Sequence, residues 1–255
     1  MRKREKNMDR YGLIGYPLGH SFSKRFFAEK FKREGIDAVY ENYEISEAGM
    51  LLDVVRQNPE LRGLNCTIPH KQAIIPLLDS VSDEAREIGA VNVIRILRNA
   101  DGSARLEGHN TDCIGFEESI KPLLTIKHHN ALVFGTGGAS RAICYSLTRL
   151  GLKWKLVSRS PRPGMLTYQD LAPEVIRQHT VIVNCSPVGM SPHTDEAPQM
   201  DYDALTPDHL LYDLIYNPEE TLFLKHGREH GCTTKNGQEM LELQAKASWE
   251  IWNNK

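Results

Sequence analysis

Residues 131–142 read ALVFGTGGASRA, and this stretch decides the fold. An apolar run over 131–134 meets a turn that contains Gly135, Gly137 and Gly138, and a helix-compatible run follows. The first glycine permits a sharp exit from a strand, and the others let backbone N–H groups approach a pyrophosphate at the helix N-terminus. Such a turn also occurs for backbone reasons alone. Because a strand precedes it and a helix follows it, we predict a dinucleotide-binding turn.

The next apolar strand, over 153–157, bears on which dinucleotide is bound. It ends in Ser158, Arg159 and Ser160, without the Asp or Glu that would bind a ribose 2′-hydroxyl. Arg159 offers a planar fork of donors suited to a 2′-phosphate, and Arg162 lies close enough in sequence to assist. The alternative is a solvated surface arginine. The pattern predicts NADP rather than NAD.

Length and composition limit the function classes. At 255 residues, two domains or one large α/β domain are both open. A hydrophobic fraction of 40%, a charged fraction of 25% and a net charge of -2 indicate a globular protein without the basic excess of a nucleic-acid binder. The charged N-terminus lacks the apolar core of a signal peptide, and no apolar run approaches membrane-spanning length. We therefore expect neither a nucleic-acid nor a membrane partner.

The cysteines and histidines indicate neither a disulfide framework nor a metal site. Five cysteines are scattered without a C-x-x-C pair, and the histidines do not fall at metal-ligand spacings. We expect no metal and a reducing, cytoplasmic location.

The rest of the chain alternates between strand-like and helix-like segments, which predicts an α/β fold with largely parallel sheets. Asp101-Gly102 is a hairpin signal between two strands. The predicted strands are 10–16, 38–45, 61–68, 90–96, 104–109, 131–134, 153–157, 181–184 and 210–215. The predicted helices pass through Phe26, Phe27 and Phe31 and through 50–55, 71–78, 83–88, 112–122, 138–150, 168–178 and 237–252.

Three polar segments could carry chemistry. Residues 20–23 (HSFS) place two hydroxyls beside a strand end, although Ser21 taken alone is better explained as a helix cap. Residues 65–71 (NCTIPHK) carry an amide, a hydroxyl and an ammonium at a strand's carboxyl end, where open α/β sheets bind ligands. Residues 110–112 (NTD) place a carboxylate at a helix start, where a structural Asp is also common.

Taken together and in order, the motifs resemble those of the shikimate dehydrogenase family. The resemblance spans nearly the whole chain in eight segments: GHSFSK, NCTIPHK, AVNVI, GHNTD, GTGGASRA, NCSPVGM, DLIYNP and GQEMLELQA. Three positions depart from the family pattern. Lys24 stands where proline is usual, Cys113 where glycine is usual, and residues 158–160 read SRS where NRT is usual.

The resemblance implies reversible hydride transfer between NADPH and the ring ketone of 3-dehydroshikimate, giving shikimate for aromatic biosynthesis. Lys71 and Asp112 match the catalytic pair: a positioned ammonium can stabilise and protonate the developing alkoxide, and the carboxylate would hold that ammonium. The matching substrate contacts are Ser21, Ser23, Thr67, Asn92, Tyr216 and Gln244, with Asn65 a weaker candidate. The matching cofactor contacts are Gly135, Gly137, Gly138, Ala139, Ser158, Arg159, Ser160 and Gly237.

The implied fold has two domains, an N-terminal mixed α/β substrate domain and a Rossmann-type NADP-binding domain, with the active site in the cleft between them. We expect residues 8–111 and 236–255 in the substrate domain and 112–235 in the NADP domain, with the helix from 112 as connector. The expected assembly is a monomer or a homodimer. Two other functions remain open: a quinate or other cyclohexane-polyol dehydrogenase, and a non-catalytic NADP-binding sensor, although retention of both Lys71 and Asp112 argues against the sensor.

Overall fold

The computed structural model describes residues 8–19 and 22–253 and divides into two compact units. The first unit combines the chain up to Thr111 with the chain from Ala245 onward, and the second is Asp112–Gln244. The sequence-based division placed the return to the first domain at residue 236. In the structure the start of the last helix belongs to the second unit instead.

The first unit is built on a mixed sheet. Its strands follow the order β2-β1-β3-β5-β6-β4, in which β3–β5 and β5–β6 are antiparallel and the other pairs are parallel. In chain order its elements are β1 (Asp9–Gly15), α1 (Phe22–Glu34), β2 (Ala38–Glu44), α2 (Met50–Gln57), β3 (Leu61–Cys66), β4 (Ser80–Val81), α3 (Asp83–Ile88), β5 (Val93–Arg98) and β6 (Ala104–His109).

An aromatic core joins α1 to the C-terminal segment of this unit. Phe27 is fully buried, and its ring centroid lies 5.3 Å from that of Trp252. Phe31, one helical turn along, lies 5.5 Å from Trp249. Gly63 in β3 leaves room for Trp252, because a Cβ there would stand 2.3 Å from the indole. Aromatic residues at helical spacing in α1 thus bury one face of that helix.

The second unit is built on a parallel sheet, of order β12-β11-β10-β7-β8-β9. Its elements are α4 (Asp112–Ile120), β7 (Asn130–Phe134), α5 (Gly138–Arg149), β8 (Lys153–Ser158), β9 (Leu166–Thr167), α6 (Pro173–Gln178), β10 (Val181–Asn184), β11 (Leu210–Asp213), α7 (Leu222–Glu229), β12 (Thr233–Lys235) and the start of α8 (Gln238–Asn253).

Both faces of this parallel sheet are covered by helices. Val133 of β7 packs in one core with Phe116 of α4 and Ile143 of α5. Its neighbour Leu132 faces the opposite core, which contains Ile176 of α6. Successive strand residues point to opposite faces, so burial on both sides explains the unbroken apolar run of β7. The α/β fold expected from the sequence is confirmed.

Two predicted helices are wrong in extent, and prolines explain both. Residues 71–78 form turns and a 3-10 helix at Ile75–Leu77, because Pro76 cannot donate a backbone hydrogen bond. The predicted helix 168–178 is a 3-10 helix at Tyr168–Asp170 followed by α6, which begins at Pro173. Four short elements escaped the sequence analysis: β4, β9, α7 and β12. Among the described residues, no helix has both the length and the apolar character required to cross a bilayer.

Candidate active site

The first unit contains a buried network of polar side chains. Asn92, which precedes β5, accepts a hydrogen bond at Oδ1 from the backbone N of Thr111 at 2.7 Å, and its Nδ2 donates to the Thr111 hydroxyl at 3.0 Å. That hydroxyl lies 3.2 Å from the Ser248 hydroxyl, which in turn accepts from Asn65 Nδ2 at 3.0 Å. The network fixes the orientation of the Asn92 amide.

The same network extends to Ser23 through Tyr40. The Tyr40 phenol donates to Asn65 Oδ1 at 2.8 Å, and it is in hydrogen-bonding contact with the Ser23 hydroxyl. Burial raises the pKa of Tyr40, so the phenol stays protonated. Two predicted substrate contacts, Ser23 and Asn92, are thus linked inside one unit. The other predicted hydroxyl of residues 20–23, that of Ser21, lies outside the described residues.

The segment that carries Thr67 and Lys71 leaves β3 in a tight turn. The backbone N of Thr67 donates to the Ile14 carbonyl at 2.9 Å, and its carbonyl accepts from the backbone N of His70 at 3.0 Å. The His70 ring is buried against the Ile45 carbonyl at 2.6 Å. The carbonyl of Lys71 accepts from Val91 N at 2.7 Å. Both predicted side chains therefore stand on an anchored turn at a strand's carboxyl end.

Asp112 opens the second unit as the first residue of α4. This residue is only 6% exposed. The positive end of the helix dipole at this position favours the charged carboxylate. Cys113 behind it is buried and not in a disulfide, burial raises the pKa of its thiol to about 12, and its carbonyl accepts from the Ser146 hydroxyl of α5 at 3.2 Å. The cysteine in place of the usual glycine is thus accommodated between α4 and α5.

The glycine-rich turn adopts the predicted geometry. Gly135 has a φ of 107°, a conformation that favours glycine, and a Cβ there would stand 3.1 Å from the Cys185 carbonyl group. Gly137 is the N-cap of α5, and a Cβ added there would meet no atom within 4 Å. The space beside Gly137 is therefore open toward solvent or a ligand.

The first turn of α5 contains Gly138, Ala139 and Ser140. Gly138 and Ala139 are half-buried, with their backbone groups at the helix N-terminus. Ser140 occupies the third fingerprint position, is 1% exposed and donates from its hydroxyl to the Gly137 carbonyl at 2.7 Å. A serine is therefore compatible with this turn, because its side chain stabilises the turn from within.

The segment after β8 presents two arginines. Ser158 is buried and accepts from the backbone N of Ser160 at 3.3 Å, while Arg159 is exposed. Arg162 Nη1 lies 3.5 Å from the Thr136 hydroxyl in the glycine-rich turn. This contact places a guanidinium directly beside the turn.

Tyr216 and Gln244 lie in different parts of the second unit. Tyr216 is half-buried in the loop that follows β11. Gln244 is 7% exposed in α8, and its Nε2 donates to the Leu241 carbonyl at 2.9 Å.

Gly237 precedes α8 and is required by packing. A Cβ at this position would stand 2.1 Å from the Leu214 carbonyl oxygen. Its backbone N donates to the Ile215 carbonyl at 3.0 Å, and its carbonyl accepts from Leu241 N. The glycine therefore joins the start of α8 to the loop after β11, whether or not it also contacts a cofactor.

Asp213, at the end of β11, escaped the sequence analysis. It is fully buried, and burial raises the pKa of its carboxyl from 3.8 to about 6. In the sequence, Asp213 is the first residue of the segment DLIYNP, in which the family resemblance points to Tyr216.

Comparison with known proteins identifies the family. A family model described as "Shikimate dehydrogenase substrate binding domain" matches residues 13–94. A protein of Methanococcus aeolicus named "Shikimate dehydrogenase (NADP(+))" is 35% identical, and the alignment covers 94% of this chain and 90% of that protein. The chain belongs to the shikimate dehydrogenase family. The matched segment 13–94 contains five of the predicted site residues: Ser21, Ser23, Thr67, Lys71 and Asn92.

Solved structures of shikimate dehydrogenases share the fold. The Aquifex aeolicus enzyme superposes with a TM-score of 0.84 at 36% identity, covering 97% of this chain and 93% of that one. The Thermus thermophilus enzyme, described in complex with NADP(H) and shikimate, gives a TM-score of 0.83 at 30% identity, covering 96% and 94%.

Proposed function

We propose that this protein catalyses the NADP-dependent, reversible reduction of 3-dehydroshikimate to shikimate in aromatic amino acid biosynthesis. The observation that carries the proposal is the 35% identity over 94% of the chain to an NADP-dependent shikimate dehydrogenase. The Thermus thermophilus structure, in complex with NADP(H) and shikimate, supports both ligands.

The residues of the glycine-rich turn fit a dinucleotide. Gly137 leaves open space at the N-cap of α5, where free N–H groups and the helix dipole favour a pyrophosphate. Gly138 and Ala139 would present their backbone at the same place, and Gly237 would lie near the opposite end of the cofactor. NADPH, when bound, supplies the hydride.

The 2′-phosphate would be held beyond β8. Arg162 lies beside the turn, Arg159 is exposed just after β8, and the strand ends without a carboxylate that would repel a phosphate. Ser158 and Ser160 would complete this part of the site. We therefore propose that NADP is preferred to NAD.

Lys71 and Asp112 would act on the ring carbonyl. As hydride reaches the carbonyl carbon, negative charge develops on its oxygen, and the Lys71 ammonium stabilises that oxygen and donates a proton to it. Asp112 would orient the ammonium and return a proton to it from solvent. The two residues belong to different units, so the proposal requires the substrate to contact both units.

The remaining polar residues would hold the ring hydroxyls and the carboxylate. We propose that Ser21 and Ser23 bind the carboxylate. The other substrate contacts would be Thr67, Asn92, Tyr216 and Gln244, with Asn65 acting on the same network.

A spectrophotometric assay tests the function directly. Shikimate and NADP should produce NADPH absorbance, and omission of either compound should abolish the signal. Quinate and related polyols serve as competing substrates. Preferred turnover of another polyol would replace the substrate assignment, and NADP binding without turnover of any of them would favour a sensor.

Two further properties complete the proposal. All five cysteines lie in the described part of the chain and none of them is in a disulfide, which fits the reducing cytoplasm that we propose. The assembly is proposed to be a monomer or a homodimer, which light scattering of the purified protein distinguishes.

A further inference from the structure

Asp213 lies where two neighbouring strands end. It is the last residue of β11 and is paired in register with Asn184, the last residue of β10. Both side chains are fully buried. The carboxyl ends of parallel strands form the edge at which open α/β sheets bind ligands.

Three neutral donors converge on the Asp213 carboxylate. Oδ1 accepts from Asn184 Nδ2 at 3.1 Å and from the backbone N of Ile215 at 3.0 Å, and Oδ2 accepts from the Thr221 hydroxyl at 2.6 Å. Thr221 also caps α7, since its hydroxyl accepts from Leu224 N. The carboxylate therefore links β10, the loop after β11 and the start of α7.

Asn184 carries the same network into the loop after β10. Its Oδ1 accepts from both the backbone N and the hydroxyl of Ser186, and its Nδ2 also donates to the Val188 carbonyl. The two loops meet again where Ser191 N donates to the Asn217 carbonyl at 3.2 Å. Asp213 is thus hydrogen-bonded to the loop after β11 directly and to the loop after β10 through Asn184.

These loops contact the glycines on either side of them. The Cys185 carbonyl group lies against Gly135 of the glycine-rich turn, and the Leu214 carbonyl lies against Gly237 at the start of α8. A shift of either loop by the width of a side chain would therefore displace the dinucleotide turn or the C-terminal helix.

Keeping a carboxyl group buried among neutral donors carries a cost in free energy. Desolvation disfavours its charged form, which is why its pKa rises to about 6 despite three hydrogen bonds. The other titratable groups whose charge interacts with it are Cys185, in the loop after β10, and Tyr202, in a 3-10 helix before β11. Because burying the Asp213 carboxyl is unfavourable, its presence calls for a role other than packing.

We propose that Asp213 is a positioning residue for the nicotinamide half of NADP, acting through the loops after β10 and β11. The order of the strands indicates how the dinucleotide would run along the sheet edge. The glycine-rich turn follows β7 and the arginines proposed for the 2′-phosphate follow β8, whereas β10 and β11 lie on the other side of β7. The half of the dinucleotide away from the 2′-phosphate therefore extends over the loops that Asp213 fixes. The inference rests on NADP being the cofactor of the proposed function.

Calorimetric titration of the full chain with two probes tests this role. Adenosine 2′,5′-bisphosphate carries the 2′-phosphate and lacks the nicotinamide half, whereas NADP carries both. Asp213→Ala should weaken NADP roughly ten-fold or more, because buried donors lose their acceptor. Its affinity for adenosine 2′,5′-bisphosphate should stay within about two-fold of the wild type, because the arginine segment is untouched.

Two milder variants serve if Asp213→Ala does not fold. Asp213→Asn keeps one acceptor oxygen for Asn184 and Ile215 and should restore most of the NADP affinity. Thr221→Val keeps the shape of the side chain and removes one donor, so it should weaken NADP selectively. Asp208→Asn is the matched control: Asp208 lies just before β11, at the opposite end of the strand, and pairs on the surface with Lys127.

The proposal is overturned if a folded Asp213→Ala or Thr221→Val variant binds NADP like the wild type. It is also overturned if both probes weaken equally, because that result describes a general loss of the domain. Failure of the proposed function looks different, since wild-type protein would then not reduce NADP with shikimate, although NADP binding would still report on the loops and adenosine 2′,5′-bisphosphate on the arginine segment.

Discussion

At the residue scale, the site combines side chains whose isolated patterns are ordinary. Ser23 at a helix start is a common cap, yet its hydroxyl contacts Tyr40 and joins the network to Asn92. Asp112 opens a helix as many structural carboxylates do, yet it is only 6% exposed. Because a polar side chain is costly to bury, these placements make the functional assignments specific enough to test by single substitutions.

The catalytic pair gives the first prediction. Lys71→Ala should lower kcat roughly a hundred-fold or more while KM for shikimate changes little, because the ammonium acts mainly on the developing alkoxide. Asp112→Asn should also lower kcat strongly. Lys32→Ala, on the exposed face of α1, and Asp83→Asn, which likewise starts a helix, are the controls. Near wild-type turnover of both active-site variants would show that the pair is misassigned.

Arg159 gives the second prediction, on cofactor choice. Arg159→Ala should raise KM for NADP roughly ten- to a hundred-fold, because a charged hydrogen bond to the phosphate is lost, and should leave KM for NAD nearly unchanged. Arg177→Ala, an exposed arginine of α6 that pairs with Glu174, is the control. An equal effect of Arg159→Ala on both cofactors would contradict a role in phosphate recognition.

Ser23 gives the third prediction, on substrate choice. Quinate carries an extra hydroxyl on the carbon that bears the carboxylate, so a pocket that accepts quinate needs both room and a hydrogen-bond partner there. With serine here, the wild type should prefer shikimate by a factor of roughly ten to a hundred in kcat/KM. Ser23→Ala should weaken shikimate, whereas Tyr43→Phe, which removes a hydroxyl bonded to Glu41 on the β2 strand, should not. A wild-type preference for quinate would exclude the assignment.

At the element scale, the sequence predicts strands and helices well where no proline intervenes. The hairpin signal at Asp101-Gly102 is confirmed: Gly102 has a φ of 86°, and Asp101 accepts from Ser103 N at 2.9 Å. Helix α3 and strand β6 coincide with their predicted bounds. The two-residue strands β4 and β9 are too short to show a period, and they form only because a neighbouring strand is available for pairing.

Gly237 and Gly137 give the fourth prediction, because a substitution at the first should affect stability and a substitution at the second should affect NADP binding. Gly237→Ala should destabilise the fold by roughly 1–3 kcal/mol, since its Cβ would stand 2.1 Å from the Leu214 carbonyl oxygen. Gly137→Ala meets no neighbour within 4 Å, so it should leave the melting temperature nearly unchanged and weaken NADP instead. Thermal unfolding and NADP titration of both variants measure the two effects. The reverse pattern would show that Gly137 is structural and Gly237 is not.

At the scale of the whole molecule, the order of motifs identifies the family, but long-range contacts are beyond sequence reasoning. Asn65 meets Ser248 across 183 positions, and Asn184 meets Asp213 across 29. The first contact depends on how α8 packs against β3, and the second depends on sheet order and register. A single sequence specifies neither. The family motifs could therefore be recognised in the sequence, whereas the buried partners Tyr40 and Asp213, which hydrogen-bond to Asn65 and Asn184, could not.

The pH dependence of stability gives the last prediction. The folded-state pKa of Asp213, about 6, lies above its ordinary value of 3.8, so between these values the folded protein binds more protons than the unfolded chain. The contribution of this group to the free energy of unfolding is complete below pH 3.8 and is lost as pH rises through 6. A rise from 3.8 to about 6 corresponds to about 3 kcal/mol.

Asp213→Asn removes this titration and isolates the contribution. Urea unfolding of the wild type and the variant should give a difference in unfolding free energy that shifts in favour of the variant as pH rises from 4 to 7. Asp208→Asn, at the exposed end before β11, should give a difference that is nearly constant over the same range. A pH-independent difference for Asp213→Asn would mean that the carboxyl titrates near its ordinary value, with water reaching the end of β11.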